Sequence, residues 1–411
     1  MTWLISKIQA GDVPVLQKLG AGPRLRDCID VVYRKRKGAD AGVVSATLPT
    51  GAGPTDWEAR PLVGRGMELG GRGVLTEQGQ AVYKGLNVFP GRLRGEPIGR
   101  WDGTKPPKTL RAYQYEPLFD NQRLFVSREI AQLPTIAPVP EGVVFNNTVN
   151  IFQLRKRFPL NGWVLSRPVM FVAATCLRST IIEDLVCHWY FKSIGLLPMP
   201  IDASEELSAE LSAATAALIE MDDNLADRWR HVEAVLAGSP TQSVNQLIAS
   251  GSGVVNGFAL PMHDVDETLP EEIEITEVGI QGVRESFELV VPNADLRAVV
   301  WYMLDRKRQA DEVDVPVSFI GSCPIPIDIG PAASAIRDAY ASSATDQFEE
   351  ARANLDSLAA RALGLSDEEL AYICERFESD PFLSQIRPMW AHRGLHVQGY
   401  QDHSGGDRFN N

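Results

Sequence analysis

Nine residues written twice constrain this chain more than any other feature. Residues 194–202 read IGLLPMPID and residues 320–328 read IGSCPIPID, so that six of the nine positions agree in place. A shift of 126 residues sets the copies in register, and the register continues on both sides without a gap. Upstream, WVLSRPVMFVAATCL (163–177) falls on LVVPNADLRAVVWYM (289–303). Each runs from a short β-type segment through a polar or Pro-bearing break into an apolar stretch of helical spacing. Downstream, Gly238 falls on Gly364, each closing a helical stretch. About 75 residues thus share a layout although few side chains are identical. Proline fixes φ, removes a donor and biases its predecessor to extended backbone, so PMP and PIP predict an extended exit just before a helix cap. Their in-register recurrence favours architecture over a PxxP-type ligand for a partner.

The helix after the first copy is written plainly. Asp202 or Ser204 can cap it, Glu205 and Glu206 occupy its first turn, and no Pro or Gly interrupts it before Gly238. Leu207, Leu211, Ala214, Leu218, Met221, Leu225, Trp229, Val232 and Leu236 recur by threes and fours. This spacing is close to a coiled-coil seam, roughly 50 Å long at about 1.5 Å per residue. After the second copy, Phe348, Ala351, Leu355, Leu358 and Ala362 repeat it; Gly364 then suits a C-cap, and Ser366 with Glu369 a capping box for the next helix. The two long helices are expected to pack on each other. The organisation expected is an N-terminal segment (1–45), a basic β-rich module (46–202), a long spacer helix (203–238), a shorter acidic module (251–328), a second long helix (329–364), a C-terminal helix (365–380) and a flexible tail (391–411). The fold class is α+β: a mixed, β-rich module followed by a long helix, the pair repeated in shorter form, then C-terminal helices.

The net charge of −13 conceals an asymmetry: residues 1–200 hold 26 Lys and Arg against 16 Asp and Glu, and the remaining 211 hold 14 against 37. A basic half joined to an acidic half makes the first the candidate for a polyanion, and the second for solvated helices or a basic protein partner. At 411 residues and 44% hydrophobic the chain can build two or three cores. No apolar run approaches the roughly 20 residues of a membrane span, and the N-terminus lacks the layout of a secretory signal. A soluble, cytoplasmic protein with no membrane partner is expected. Cys28, Cys176, Cys187, Cys323 and Cys374 are too scattered for a CxxC pair and odd in number, which fits reduced thiols rather than a disulfide framework or structural zinc.

Residues 60–160 carry short strand signals (GVLT, AVYKGLNVF, LRAYQY, RLFVSREI, GVVFNNTVNIF) separated by Gly and Pro. Within and beside them lie the residues suited to phosphates and base edges. They are Arg34, Lys35, Arg36 and Lys37, then Lys84, Asn87, Arg92, Arg94, Arg100, Lys105, Lys108, Arg111 and Arg128, and finally Asn146, Asn147, Arg155, Lys156 and Arg157. Tyr83, Trp101, Tyr113, Tyr115 and Arg123 are interleaved with them. Lys and Arg neutralise phosphates, whereas Arg on guanine and Asn on adenine form the two-point pairs that discriminate bases. The alternative for any one of them is an ordinary surface charge or a core aromatic.

Other patterns fail on chemistry. GRGMELGGRG (64–73) lacks the spacing and following helix of a dinucleotide or methyl-donor loop. His392 and His396 have Gly394 between them and no third ligand, and the acidic run 264–277 lacks a calcium-loop ladder. No metal is expected, and spacing alone selects no Ser-His-Asp or Cys-His arrangement.

YKGLNVFPG, LRAYQYEPLFDNQRLFVSREIAQLPTIAPVPEGVVFNNTVNIFQL and LRSTIIEDLVCHWYFKSIGLLPMP resemble the target-recognition region that follows the catalytic domain in adenine-specific DNA methyltransferases. The closest types are those of bifunctional type II restriction-modification and phage-defence systems. LAARALGLSDEELAYICERF resembles the C-terminal signature of the same enzymes, and two modules each followed by a long helix resemble the specificity subunit of type I restriction enzymes. The resemblance covers about residues 45–380. It implies sequence-specific recognition of double-stranded DNA on behalf of a methyltransferase catalytic subunit or domain. The methyl-donor loop, the Asn-Pro-Pro-Tyr-type motif and a nuclease Asp…Glu-x-Lys cluster are not in this sequence, so S-adenosylmethionine is expected on a partner or a missing domain, and no catalytic residue is assigned. Met1 opens into what reads as the continuation of an interior segment, as in a chain that has lost an N-terminal catalytic domain. The competing expectations are a diverged methyltransferase or nuclease, which would bind S-adenosylmethionine or magnesium unaided, and a non-catalytic assembly scaffold, which would bind heparin and random DNA alike.

Overall fold

The structure is a computed structural model that describes residues 8–38, 41–53, 55–69, 74–104, 108, 111–178, 181–183, 186–200, 204–258, 260, 268–270, 273–282, 287–310, 315–343, 346–385 and 390. It is a mixed α+β chain, β-rich in its first half, with a long helix Glu205–Ala237 followed by C-terminal helices. Two compact units divide it: Met1–Ile219 with Phe348–Met389, and Glu220–Gln347 with Trp390–Asn411.

In the first unit, the β-rich part is built on an antiparallel sheet of Ile136–Pro138, Leu124–Arg128, Val149–Gln153 and Val63–Arg65, in that order. A second sheet has Gln80–Tyr83 at its centre, parallel to Val143–Phe145 and antiparallel to Gly99–Trp101. Leu124, Val126, Val149 and Ile151 share a core with Val82, Val88, Val144 and Phe145. The boundary expected at residue 45 is crossed, since Val31–Lys35 pairs with both Val44–Ser45 and Trp57–Pro61. LRAYQY is not a strand: Arg111–Leu118 is a 3-10 helix, and the alternation of aromatics that mimics a strand buries Tyr113, whose hydroxyl accepts a 2.6 Å bond from the Phe145 amide, and Tyr115. Of GVLT, Gly73 lies outside the described residues and Thr76 forms an isolated bridge to Arg100, and the WVL run of the first copy lies at the helix Leu160–Trp163 and its end rather than in a strand.

The repeated nonapeptide has a physical explanation in both units. In each copy a short helical turn, Phe191–Ile194 or Phe319–Ser322, buries the repeated isoleucine, Ile194 or Ile320, and passes into an extended Pro-x-Pro segment. That segment is clamped by an antiparallel partner. Leu25 N donates to Leu197 O (2.9 Å) and Met199 N to Pro23 O (2.9 Å), with Arg24 opposite Pro198. In the second copy Val244 N donates to Cys323 O (3.1 Å) and Ile327 N to Pro240 O (2.9 Å), with Ser243 opposite Pro324. The prolines fall at alternate positions whose missing N–H faces away from the clamp, where an edge strand tolerates them. The repeated glycine stands at a close approach in both copies: a Cβ on Gly195 would lie 2.9 Å from Phe191 O and 3.2 Å from Arg26 Cβ, and one on Gly321 would lie 2.8 Å from Asn245 Nδ2, the end of a side chain that can turn aside. Arg26 and Asn245 stand at the same step after their clamp strands, so both ends of the two modules are built alike.

Ser204 caps the long helix, its Oγ accepting from Leu207 N at 3.1 Å, while Asp202 lies outside the described residues. Leu211, Leu218, Leu225, Trp229 and Val232 of the expected seam are buried, the first two in one unit and the rest in the other. Of the helix expected over 329–364, Ile329–Ser343 and Asp346–Ala362 are helical, and residues 344–345 lie outside the described residues. Leu365 N to Ala360 O (2.9 Å) and Gly364 N to Arg361 O (3.1 Å), with Gly364 at φ +69°, close the second helix in a Schellman motif. Ser366 and Glu369 exchange capping bonds of 3.2 and 2.7 Å to open Asp367–Ser379. This last helix is tied to the first, Asp12–Ala21, by a buried pair in which Arg376 Nε donates to Asp12 Oδ1 at 3.0 Å and the Tyr372 hydroxyl to the same oxygen at 2.8 Å. Burial opposes the charge of Asp12, but these donors together hold its carboxyl below the usual range.

The second unit carries an antiparallel sheet, Ile273–Ile275, Gly279–Gly282 and Glu288–Val290, packed under helix Ala294–Ala310. Trp229 of the long helix stacks on Tyr302 at 5.5 Å, and Trp301 donates to Ile273 O at 3.1 Å. No helix among the described residues is long and apolar enough to cross a membrane.

Candidate nucleic-acid interface

Strand ends of the first unit bring three polar turns together. After Gln80–Tyr83 the chain makes the 3-10 turn Gly85–Asn87, and between Val143–Phe145 and Val149–Gln153 it turns at Asn146–Thr148. Gly85 N donates to Thr148 Oγ1 at 2.7 Å, and Thr148 N and Oγ1 both donate to Asn146 Oδ1. A Cβ on Gly85 would lie 2.7 Å from Thr148 O, which explains glycine there. The hairpin of Val88–Phe89 and Arg92–Leu93 joins through Arg94 N, which donates to Asn87 O at 3.0 Å. Lys84, Arg92, Arg94, Asn146 and Asn147 therefore belong to one turn cluster, each half-exposed.

Asn87 holds that cluster rather than facing out of it. It is 8% exposed; its Oδ1 accepts from Lys84 N at 3.1 Å, and its Nδ2 donates to Arg94 O at 2.9 Å and Glu96 O at 3.3 Å. With its amide so occupied it is not available to a base edge. Arg128 is likewise buried, 6% exposed, rather than laid along the surface.

The remaining expected residues are distributed over other places. Arg34 and Lys35 lie on strand Val31–Lys35 and are half-exposed, whereas Arg36 and Lys37 are exposed. Arg36 is 3.6 Å from Glu58, which also takes Arg60 at 2.8 Å. Arg100 is exposed and donates to Gly79 O at 3.0 Å, and Lys108 is exposed and pairs with Glu68 at 3.1 Å. Arg155, Lys156 and Arg157 are exposed, Arg155 donating to Ile29 O at 2.8 Å. Arg123 is structural, bridging Asp30 at 3.1 Å and Asp120 at 2.7 Å. Arg111 opens the 3-10 helix, and Lys105 lies outside the described residues, as do His392 and His396.

Sequence reading missed two features beside the turns. Arg65 grips the buried Glu129 in a two-point pair at 2.5 Å on each arm, and Glu129 N donates to Thr148 O. In HWYFK, Trp189 is buried and donates to Ala131 O, while His188 stacks on the 38% exposed Tyr190 at 5.4 Å and Lys192 lies over that ring at 5.7 Å. The alternation of His188, Tyr190 and Lys192 around a buried Trp is the signal that would have found them.

The first unit also has a pocket of about 350 Å³ between Tyr113, Phe119 and Leu124, rimmed by Gln80, Glu116 and Glu141. Its carboxylates make it unsuited to a phosphate. Among the described residues no group of three or more His, Cys, Asp and Glu side chains converges to hold a metal.

No protein-family model matches the chain, and no curated protein matches it. Among solved structures, the crystal structure of a Type-I restriction-modification system S subunit from M. genitalium aligns over 76% of this chain and 92% of that one, at 10% identity and a TM-score of 0.27. An overlap that loose does not establish a common fold, and the functional reading rests on this chain's own residues.

Proposed function

We propose that the chain is a DNA sequence-recognition protein of a restriction-modification or phage-defence system, working with an adenine-specific DNA methyltransferase. The observation that carries this reading is the turn cluster Lys84–Asn87, Arg92–Arg94 and Asn146–Thr148 on a net basic, β-rich module. Cations that meet phosphates and amides that read bases are there held together by a rigid backbone scaffold. The motif resemblance described above points the same way, and the like-built ends of the two modules fit a chain made of modules spaced by helices.

In this mechanism the basic module grips the duplex through phosphates and Asn147 and the neighbouring arginines meet base edges in the major groove. The partner binds S-adenosylmethionine and takes adenine out of the stack for methyl transfer, which asks no chemistry of this chain. The helices space the modules and dock the catalytic partner. The acidic second module supports the first rather than gripping DNA.

Lys84→Ala is expected to weaken duplex binding about equally for all sequences and to lower the salt slope by about 1, whereas Asn147→Ala lowers the preference for one base with little change in slope. Fluorescence anisotropy over a salt series checks both; equal loss from a remote exposed cation such as Lys37→Ala would contradict the assignment of the cluster.

A further inference from the structure

Strand Leu124–Arg128 sends Leu124 and Val126 into the core of the β-rich module, and strand alternation places Arg128 on that same side. Arg128 is 6% exposed, and its Nη1 is fully buried with no hydrogen-bond partner. Among the described residues no carboxylate pairs with it: the adjacent Glu129 is held by both arms of Arg65. Burial draws its pKa down to about 10, still far above neutrality, so the group remains a cation. A buried guanidinium without a counter-charge destabilises a fold unless another role retains it.

Its position supplies that role. The strand packs against the turn Gly85–Asn87, and the Glu129 N to Thr148 O bond fixes the Asn146–Thr148 turn at the strand end that carries Arg128. The unmatched cation thus stands at the base of the turn cluster. We propose that Arg128 is the floor of a single-oxyanion site whose ligand is a phosphate, supplied in the working complex by one backbone phosphodiester of the duplex. A single buried guanidinium with an unpaired Nη1 suits one oxyanion rather than a run of phosphates, and such a contact would fix the register of the strand beneath the reading turns. The source of the phosphate rests on the DNA reading above; the oxyanion chemistry does not.

The test is thermal unfolding of the full chain in inorganic phosphate against chloride at equal ionic strength, with duplex binding measured in parallel. Arg128→Met is expected to unfold at a higher temperature than the wild type in chloride, to lose the stabilisation that phosphate gives the wild type, and to bind duplex about tenfold more weakly with a salt slope lower by about 1. Arg128→Lys, which keeps the charge without the second donor arm, is expected to keep a weakened phosphate response. It replaces the Met variant if that does not fold. An undiminished phosphate response in either variant would overturn the site, and the DNA reading would still stand if the wild type selects a sequence. Loss of the phosphate response with unchanged duplex affinity would overturn the duplex as the source.

Discussion

Asp356 is 1% exposed and accepts from Arg167 N at 2.6 Å, while its Oδ2 lies 3.6 Å from Arg167 Nε, within ion-pair range but long for a hydrogen bond. Burial outweighs the nearby guanidinium groups and pushes its carboxyl up to about 6. A carboxyl whose folded pKa is raised stabilises the fold fully below its unfolded value near 3.8, and that stability is lost as pH rises through about 6. Wild-type unfolding free energy is therefore expected to fall between pH 4 and pH 6 by about 2 kcal/mol relative to Asp356→Asn, which keeps the acceptor but not the charge. Urea titrations of both proteins across that window check the difference, and parallel curves would contradict it. None of this was legible in the sequence. Asp356 falls beside the seam residue Leu355, where a heptad reading expects a solvated side chain, and only the packing of Arg167 against the helix buries it. Asn87 escaped in the opposite direction: its residue type announces base reading, and its amide is consumed by the turn that presents its neighbours.

At the scale of elements, periodic and capped features were legible because their causes are local. The long helix, the Gly364 closure and the Ser366–Glu369 box follow from side chains within a few residues of each other. The 3-10 helix Arg111–Leu118 was not, because Tyr113 is fixed by a strand far along the chain. The clamps lie between: the Pro-x-Pro repeat announced an extended segment, but not the strand that pairs with it. Their glycines make an asymmetric prediction. Gly195→Ala meets a carbonyl oxygen and a Cβ that cannot turn away, and is expected to cost about 1 to 3 kcal/mol; Gly321→Ala meets the end of the Asn245 amide and is expected to cost less, with Asn245→Ala restoring the difference. Denaturant midpoints of the three variants at unchanged m-value decide it, and equal costs would contradict the account of the clamps.

For the whole molecule, the segregation of charge was readable from composition alone: a net basic first half and an acidic remainder cannot both serve one polyanion. What composition could not convey is which cations stand together. The turns that gather Lys84, Arg92, Arg94, Asn146 and Asn147 are brought together across 63 positions by the Gly85–Thr148 bond, whereas Arg36, Lys108 and Arg155 are engaged elsewhere. The most direct test of recognition is to expose the purified chain to a pool of random duplex DNA at about 150 mM salt, where the purely electrostatic term is suppressed, and to sequence the bound fraction. Enrichment of one defined motif, lost or altered when Asn147 is replaced by Ala, is the result predicted; uniform, salt-sensitive retention without a motif would contradict it.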